Sequence, residues 1–399
     1  MSGFISGAKA RIPLSLLTGF LGSGKTTLLN QLVRDPTMRK TLVIINEFGT
    51  IGIDHDLVSA SEEREVVVEM SSGCLCCTIR GDLVRTLRDA PWRFARDGVC
   101  WFDRVLIETT GLADPIPILH TALMDERIAQ LYRLDSVITT VDAATALATL
   151  DAQDESVRQI AVADRLVLTK TDLVAPTDIA AVEARVRTIN PAAPLLPAIK
   201  GAIDPSALFD AGVYDPATRG EQVLVWLNVE DYAGAHHHHH HHHHHHGEDH
   251  HHDGHHDHND INRHDDHIHA ICLTFDQPLR GEAFERWIEV LTLFAGPQIL
   301  RIKGILNLAE FDRPAVIHGV QHIFHPPVLL DAWPSDDRRS RIIFITRDIE
   351  EATLRQTLDI MTAGISHFEV YGPQGSDFSA SLDTLPAFSN GDSFSLIRS

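Results

Sequence analysis

The sequence predicts an α/β domain with a doubly wound parallel sheet, followed by a histidine-rich linker and a small α+β domain. Two observations indicate the first domain: short apolar runs alternate with amphipathic segments, and a glycine-rich loop joins the first run to a helix. The alternation stops at Ala235. At Ala270 strands with two helices resume, which is typical of a small, ferredoxin-like α+β domain. We place the N-terminal domain at residues 10–212, the linker at 213–269, the C-terminal domain at 270–375 and a polar tail at 376–399.

The glycine-rich loop has the pattern of a phosphate-binding loop. It follows a predicted strand, Ile12 to Leu17, and residues 19–27 fit G-x-x-x-x-G-K-[ST] with a helix directly after them. Backbone N–H groups of such a loop bind nucleotide phosphates at the positive end of the helix. Lys25, a predicted catalytic residue, is expected to reach the β- and γ-phosphates, and Thr26 to ligate Mg²⁺. The predicted nucleotide-binding residues are Gly19, Gly22, Ser23, Gly24, Lys25, Thr26 and Thr27.

A second nucleotide-binding element follows the predicted strand Arg104 to Ile107. Glu108 stands at the end of this strand and Gly111 three residues later. A carboxylate here can hold the Mg²⁺ shell, and a glycine lets the backbone approach the γ-phosphate. We predict Glu108 as a catalytic and magnesium-binding residue and Gly111 as a nucleotide-binding residue. The loop at 46–54, with two glycines and two acids, is expected to be mobile and to face the nucleotide.

The base of the nucleotide is predicted to be guanine. Thr169, Lys170, Thr171 and Asp172 follow the buried strand Arg165 to Leu168, where a guanine-reading motif belongs. Asp172 can accept hydrogen bonds from the guanine N1–H and amino group, a pair of donors that adenine lacks. Lys170 can pack its aliphatic stem over the base. Thr169 stands where the motif usually has Asn.

Two sets of side chains indicate transition-metal binding. Cys74, Cys76 and Cys77 lie within four residues, which is too close for a disulfide framework and suits a thiolate metal site, with redox chemistry and simple packing as alternatives. The tract from His236 to His269 combines histidine with Asp, Gly and Asn and is predicted to be disordered. Its imidazoles suit Zn²⁺, Ni²⁺, Co²⁺ and Cu²⁺ and should bind several ions weakly; a purely solvating linker is the alternative.

Composition excludes two classes of partner. The 399 residues include 34 Lys and Arg against 55 Asp and Glu, and the resulting net charge of −21 would repel nucleic acids. No apolar run approaches the roughly 20 residues that a membrane-spanning helix needs. The first apolar segment leads into the phosphate loop instead of a signal-peptide cleavage site. We therefore expect a cytoplasmic protein without nucleic-acid or membrane partners.

The C-terminal domain contains a second group of histidines. Residues 315–324 are predicted to form one alternating strand, which would place His318 and His322 on the same face. Because no acid or cysteine accompanies them or His325, we expect a structural or partner-contact role in preference to metal binding.

Together these motifs resemble the CobW-like family of GTP-binding metallochaperones, relatives of the GTPases that help insert nickel into urease and hydrogenase. The resemblance covers most of the chain, including Leu300 to Gly304 and the His318 segment. It departs from the family pattern at Thr169 and at Thr50, where many members have an acid. The motifs that carry it are Thr18 to Thr27, Asn46 to Gly49, Gly73 to Cys77, Glu108 to Pro115 and Thr169 to Asp172.

The resemblance implies slow GTP hydrolysis coupled to the binding and delivery of a metal. It makes residues 46–54 the first switch loop, with Glu47 as a catalytic residue and Asp54 beside Glu108 at the Mg²⁺ ion. The cysteine cluster becomes the site for the cargo; the chemistry of the cysteines favours zinc, although thiolates and imidazoles also accept cobalt and nickel. A client protein would dock through the C-terminal domain, and a nucleotide- or metal-dependent homodimer is expected. A metal buffer with a regulatory nucleotide site, or an activator of one cobalt or iron enzyme, are the alternatives.

Overall fold

A parallel seven-stranded sheet forms the centre of the N-terminal domain, in the order β3-β2-β6-β1-β7-β8-β9. The computed structural model describes residues 11–46, 66–69, 76–209, 267–321, 323–324, 327–362, 367–371 and 377–381. The strands are β1 Ile12–Gly19, β2 Thr41–Asn46, β3 Val66–Glu69, β4 Ala95–Arg96, β5 Val99–Cys100, β6 Arg104–Thr109, β7 Tyr132–Asp142, β8 Arg165–Thr169 and β9 Leu195–Ala198, of which β4 and β5 form a separate hairpin.

Helices cover both faces of this sheet, which confirms the doubly wound prediction. They are α1 Lys25–Leu32, α2 Cys76–Arg93, α3 Ile116–Met124, α4 Glu126–Leu131, α5 Ala146–Ala152, α6 Asp154–Ala161 and α7 Pro176–Ile189. The central strand β1 is buried on both sides. Leu16 packs with residues of α2 and α3, whereas Leu17 packs with residues of α1. Such a strand needs apolar residues at consecutive positions, as the sequence provides.

The phosphate loop lies where the order of the strands changes direction. From β1 the chain first builds β2, β3 and β6 on one side and then β7, β8 and β9 on the other. Parallel sheets of this type bind ligands beyond the carboxyl ends of the strands, at such a switch point. Loop 19–25, Glu108, Asp142 and Thr169 all lie at or beyond these strand ends.

The C-terminal domain is built on an antiparallel sheet with the order β10-β15-β11-β12-β13, and β14 pairs with β12. Helix α8 joins β10 to β11, which run in the same direction on either side of β15; this is the split β-α-β unit of ferredoxin-like domains. The elements are β10 Ile268–Phe275, α8 Gly281–Ala295, β11 Ile299–Leu306, β12 Ala315–Val320, β13 Ile323–Phe324, β14 Val328–Leu329, β15 Ser340–Arg347, α9 Glu351–Thr362, β16 His367–Tyr371 and β17 Asp377–Ser381.

One strand prediction was wrong: residues 315–324 form a hairpin and not a single strand. Gln321 has a φ of 54°, and β13 turns back on β12 so that Phe324 pairs with Gly319. A Cβ atom at Gly319 would lie 2.9 Å from the Phe324 ring, so glycine is needed at this position. The strand that was expected to place His318 and His322 on one face therefore ends at Val320. His318 is buried, and His322 and His325 lie outside the described residues.

The two domains share a buried interface. One face of the C-terminal sheet packs on its own helices around Trp287 and Phe344. On the other face, Leu300 and Ile345 join a cluster formed by residues of α6, α7 and β8. A register shift between Ile299 and Arg301 in β11 lets both Leu300 and Arg301 contact the N-terminal domain.

A charge cluster lies in this interface. The carboxylate of Asp164, immediately before β8, forms ion pairs with Arg301 and with Lys303, whose Nζ is 3.5 Å away, and all three side chains are buried. Burial alone would raise the pKa of Asp164, but Arg301, Lys303 and the N–H of Val137 lower it. Burial and the charge of Arg301 lower the pKa of Lys303 to about 7, although Asp164 opposes them.

Within the described ranges no helix combines the length and the apolar composition that crossing a membrane requires.

Candidate functional site: a nucleotide site at the switch point

The phosphate loop is shaped by close contacts with β7. Gly19 has a φ of 139°, and a Cβ atom there would lie 2.2 Å from the hydroxyl oxygen of Thr140. The Ser23 hydroxyl is hydrogen-bonded to the same hydroxyl at 2.6 Å. Gly24, with a φ of 94°, is the N-cap of α1. The loop therefore requires glycine at both positions.

Lys25 lies against the loop that it follows. Its Nζ donates to the carbonyls of Gly19 (2.9 Å) and Phe20 (3.0 Å), and only 9% of the residue is exposed. The ammonium group is thus held at the mouth of the loop, where the phosphates of a nucleotide are expected.

Thr26 and Glu108 meet at the carboxyl ends of two neighbouring strands. The Thr26 hydroxyl donates to Oε1 of Glu108 at 3.1 Å. Glu108 is 3% exposed and pairs in register with Leu17, two residues before the loop. A hydroxyl and a carboxylate are oxygen ligands of the kind that Mg²⁺ prefers. These two side chains therefore fit the predicted magnesium site.

The segment after Glu108 packs directly on the phosphate loop. Thr109 donates its hydroxyl hydrogen to the Thr18 hydroxyl oxygen (2.9 Å). A Cβ atom at Gly111 would lie 2.6 Å from the backbone nitrogen of Leu21, so only glycine fits here. The structure thus places Gly111 against the phosphate loop; its role in nucleotide binding stays a prediction.

The predicted guanine-reading segment also contacts the loop. The Thr169 hydroxyl donates to the Ser23 carbonyl at 2.7 Å, with the Val141 carbonyl 3.2 Å away. Lys170 has a φ of 56°, and its Nζ pairs with Asp142 at 2.7 Å. Asp172 is exposed in a short 3₁₀ turn, Thr171–Leu173. The Lys170 stem and the Asp172 carboxylate are therefore both accessible at the edge of the site.

Both domains of the chain match known protein families. The chain matches the family "CobW/HypB/UreG, nucleotide-binding domain" over residues 13–197 and "Cobalamin synthesis protein cobW C-terminal domain" over 268–362. The chain belongs to the CobW family of GTPases.

Relatives of this CobW-family chain include proteins named for zinc. It is 29% identical to "Zinc chaperone YjiA" of Escherichia coli, over 86% of this chain and 96% of that protein. It is 30% identical to "Zinc-regulated GTPase metalloprotein activator 1" of Dictyostelium discoideum, over 51% of this chain but only 49% of that protein. Its fold is similar to that of zinc-bound YjiA GTPase from E. coli, with a TM-score of 0.61, 24% identity and coverage of 88% and 99% of the two chains.

The predicted metal ligands lie largely outside the described residues. This applies to Cys74, Asp54 and the histidines 236–266, as it does to the predicted catalytic residue Glu47. Of Cys76 and Cys77 the structure gives only their place at the start of α2. His267 contacts the Asp348 side chain and His269 lies in β10. Among the described residues no three His, Cys, Asp or Glu side chains are close enough to hold a metal ion.

Two site residues of this CobW-family chain escaped the sequence analysis. Asp142 is the last residue of the apolar strand β7 and Glu108 the last but one of β6, so the same argument could have identified Asp142. Gln159, in α6, donates its side-chain amide to the carbonyls of Gly111 and Ala113. No sequence motif marks this glutamine, because its partners are 46 and 48 positions away.

Thr169→Val is expected to weaken GTP and GDP binding by about three- to tenfold. The variant keeps the shape of the side chain but leaves the buried Ser23 carbonyl without its donor, which typically costs about 1 kcal/mol. Thr169→Ser retains the hydroxyl and is the matched control. Calorimetric titration with both nucleotides measures the change, and equal affinities in Thr169→Val and wild-type protein would contradict the role given to this hydroxyl.

Proposed function

We propose that this CobW-family GTPase binds GTP with Mg²⁺, carries zinc at the Cys74, Cys76 and Cys77 cluster and passes it to a client protein. The part of this proposal that concerns GTP and Mg²⁺ rests on the contact between Thr26 and Glu108 beside the phosphate loop. The zinc part is supported by the thiolate chemistry of the cluster and by the zinc-chaperone relatives. Cobalt and nickel are further ions that the ligand types accept, and we place the protein in the cytoplasm.

The residues around the phosphate loop have separate roles in hydrolysis. Lys25 and the loop amides neutralise the transferring phosphoryl group while water attacks in line with the leaving oxygen. Thr26 and Glu108 would hold Mg²⁺, together with Asp54, and Glu47 would act in the first switch loop. When bound, Mg²⁺ supplies positive charge to the phosphate oxygens. Thr169, Lys170 and Asp172 select guanine.

The arrangement of β2 and β6 supports coupling between nucleotide and metal. Asn46 at the end of β2 pairs with Thr109 at the end of β6, so the chain enters the first switch loop beside the Glu108 segment. Cys76 and Cys77 are the first two residues of α2, which packs on the same sheet. Ordering of the switch loop by the γ-phosphate would therefore change the surroundings of the cysteine cluster.

We infer two further contacts for this chaperone. The C-terminal domain is the docking site for the client, and two copies associate when nucleotide or metal is bound. The side chains of Leu21 and Leu112 support association, because they are 56% and 55% exposed at the nucleotide site. Apolar side chains exposed at a functional surface favour contact with another protein.

The affinity for Zn²⁺ is expected to differ at least about tenfold between the GTP-bound and GDP-bound states, since linked sites typically differ five- to 150-fold. Competition titrations of Zn²⁺ and Co²⁺ measure this difference in affinity, in the presence of Mg²⁺ and either a non-hydrolysable GTP analogue or GDP. Both the full chain and a chain without residues 236–269 are titrated, because weak histidine sites can mask one tight site.

Cys76→Ser should abolish this difference, and Cys272→Ser should preserve it. Cys272 is a half-buried cysteine in the C-terminal domain and serves as the matched control. Equal zinc affinity in both nucleotide states would contradict coupling between GTP hydrolysis and zinc delivery. It would favour a metal buffer whose nucleotide site is regulated by a partner protein.

A further inference from the structure

Gln159 is a fully buried glutamine that contacts the segment after the predicted magnesium ligand. Its Nε2 lies 3.3 Å from the carbonyl oxygen of Gly111 and 3.0 Å from that of Ala113. Both partners are acceptors, so the nitrogen of the amide must face them. The two N–H groups of one side chain therefore hold two peptide groups of the loop 110–114.

These hydrogen bonds determine the direction of the loop's own N–H groups. In a planar trans peptide the carbonyl of one residue and the N–H of the next point in opposite directions. Holding the Gly111 carbonyl toward Gln159 thus turns the Leu112 N–H away from the helix. On its other side the loop lies so close to the backbone of Leu21 that a Cβ atom at Gly111 would clash with it. The loop is fixed between the phosphate loop and α6.

Helix α6 is a firm support for this contact. Its residues Val157 and Ile160 pack in the cluster that includes Leu300 and Ile345 of the C-terminal domain. At its first residue, Asp154 forms an ion pair with Arg347 at 3.0 Å. About one turn further along the helix, Arg158 lies 3.6 Å from the carboxylate of Asp114, in the loop itself. The helix therefore has little freedom to follow the loop if the loop moves.

We propose that Gln159 is a positioning residue for GTP hydrolysis. Its amide keeps the loop 110–114 in the orientation that turns the Leu112 N–H away from α6 and toward the γ-phosphate. Hydrolysis is sensitive to this placement because the transferring phosphoryl group is stabilised by position and charge alone. The proposal rests on GTPase activity and is independent of metal delivery.

Gln159→Leu tests the proposal, with Asn190→Leu as a matched control. Asn190 is also a buried amide, and its Nδ2 donates to the carbonyls of Ile160 (2.8 Å) and Ala163 (3.1 Å) at the end of the same helix. In the full-length protein, Gln159→Leu is expected to lower kcat at least about tenfold, with KM for GTP and the affinity for GDP within about threefold of wild type. Asn190→Leu should lower the unfolding midpoint and keep kcat within about threefold.

An unchanged kcat in Gln159→Leu would overturn the proposal. The proposal would also be overturned if both variants lost kcat in proportion to their loss of stability, because that result is expected when a buried amide has a purely structural role. If Gln159→Leu does not fold, Gln159→Asn replaces it, since the shorter amide cannot reach both carbonyls. A similar loss of kcat in this variant supports the proposal, and a wild-type kcat overturns it.

Discussion

Glu108→Gln is expected to reduce GTP turnover by about a hundredfold or more, the range seen when one electrostatic contact to a developing charge is lost. The substitution keeps the shape of the side chain and an oxygen that can accept the Thr26 hydrogen bond, so the fold should be unaffected. It removes the negative charge that would hold Mg²⁺ next to Thr26. Steady-state hydrolysis as a function of Mg²⁺ concentration, with nucleotide affinity measured in parallel, shows both effects.

Asp103→Asn is the matched control for this prediction. Asp103 is an exposed acid immediately before the same strand, at the end opposite to Glu108. The Asp103→Asn variant should hydrolyse GTP at the wild-type rate. If Glu108→Gln turned over GTP within about threefold of wild type, with the same dependence on Mg²⁺, Glu108 would not be a magnesium-binding residue.

The sequence was sufficient to predict the parts of the site whose spacing is local. Loop 19–25 and the strand that ends in Glu108 are each recognisable within ten residues, because one element positions all their groups. The contacts between these elements were less accessible. Gln159 and Asp142 act on segments that follow other strands, and only the order of the strands brings them together.

Two features of the C-terminal domain escaped sequence analysis for different reasons. The turn at Gln321 lacks the Gly, Asn or Asp residues that usually mark a two-residue hairpin, so the alternation appeared to continue to Phe324. Arg301 and Lys303 have the pattern of exposed strand residues. They are buried because Asp164 of the other domain meets them, and a contact between domains leaves no periodic signal.

Asp164→Asn is expected to lower the free energy of unfolding by about 3–5 kcal/mol, the usual cost of removing one partner from a buried charge cluster. Arg301 and Lys303 would remain between the domains without a counter-charge. The double variant Asp164→Asn/Arg301→Met should be more stable than the sum of its two single changes predicts. Urea unfolding of the four proteins measures this coupling, and additive effects within about 0.5 kcal/mol would contradict a shared cluster.

The dependence of stability on pH provides a second measurement of the same cluster. Lys303 has a pKa lowered to about 7 in the folded protein, whereas the unfolded lysine keeps a pKa near 10.5. Between these values the unfolded chain binds more protons than the folded chain, so the contribution of Lys303 to the free energy of unfolding rises with pH. Lys303→Met should remove this rise between about pH 7 and pH 10. Parallel pH profiles for the variant and the wild type would show that Lys303 is not titrating inside the interface.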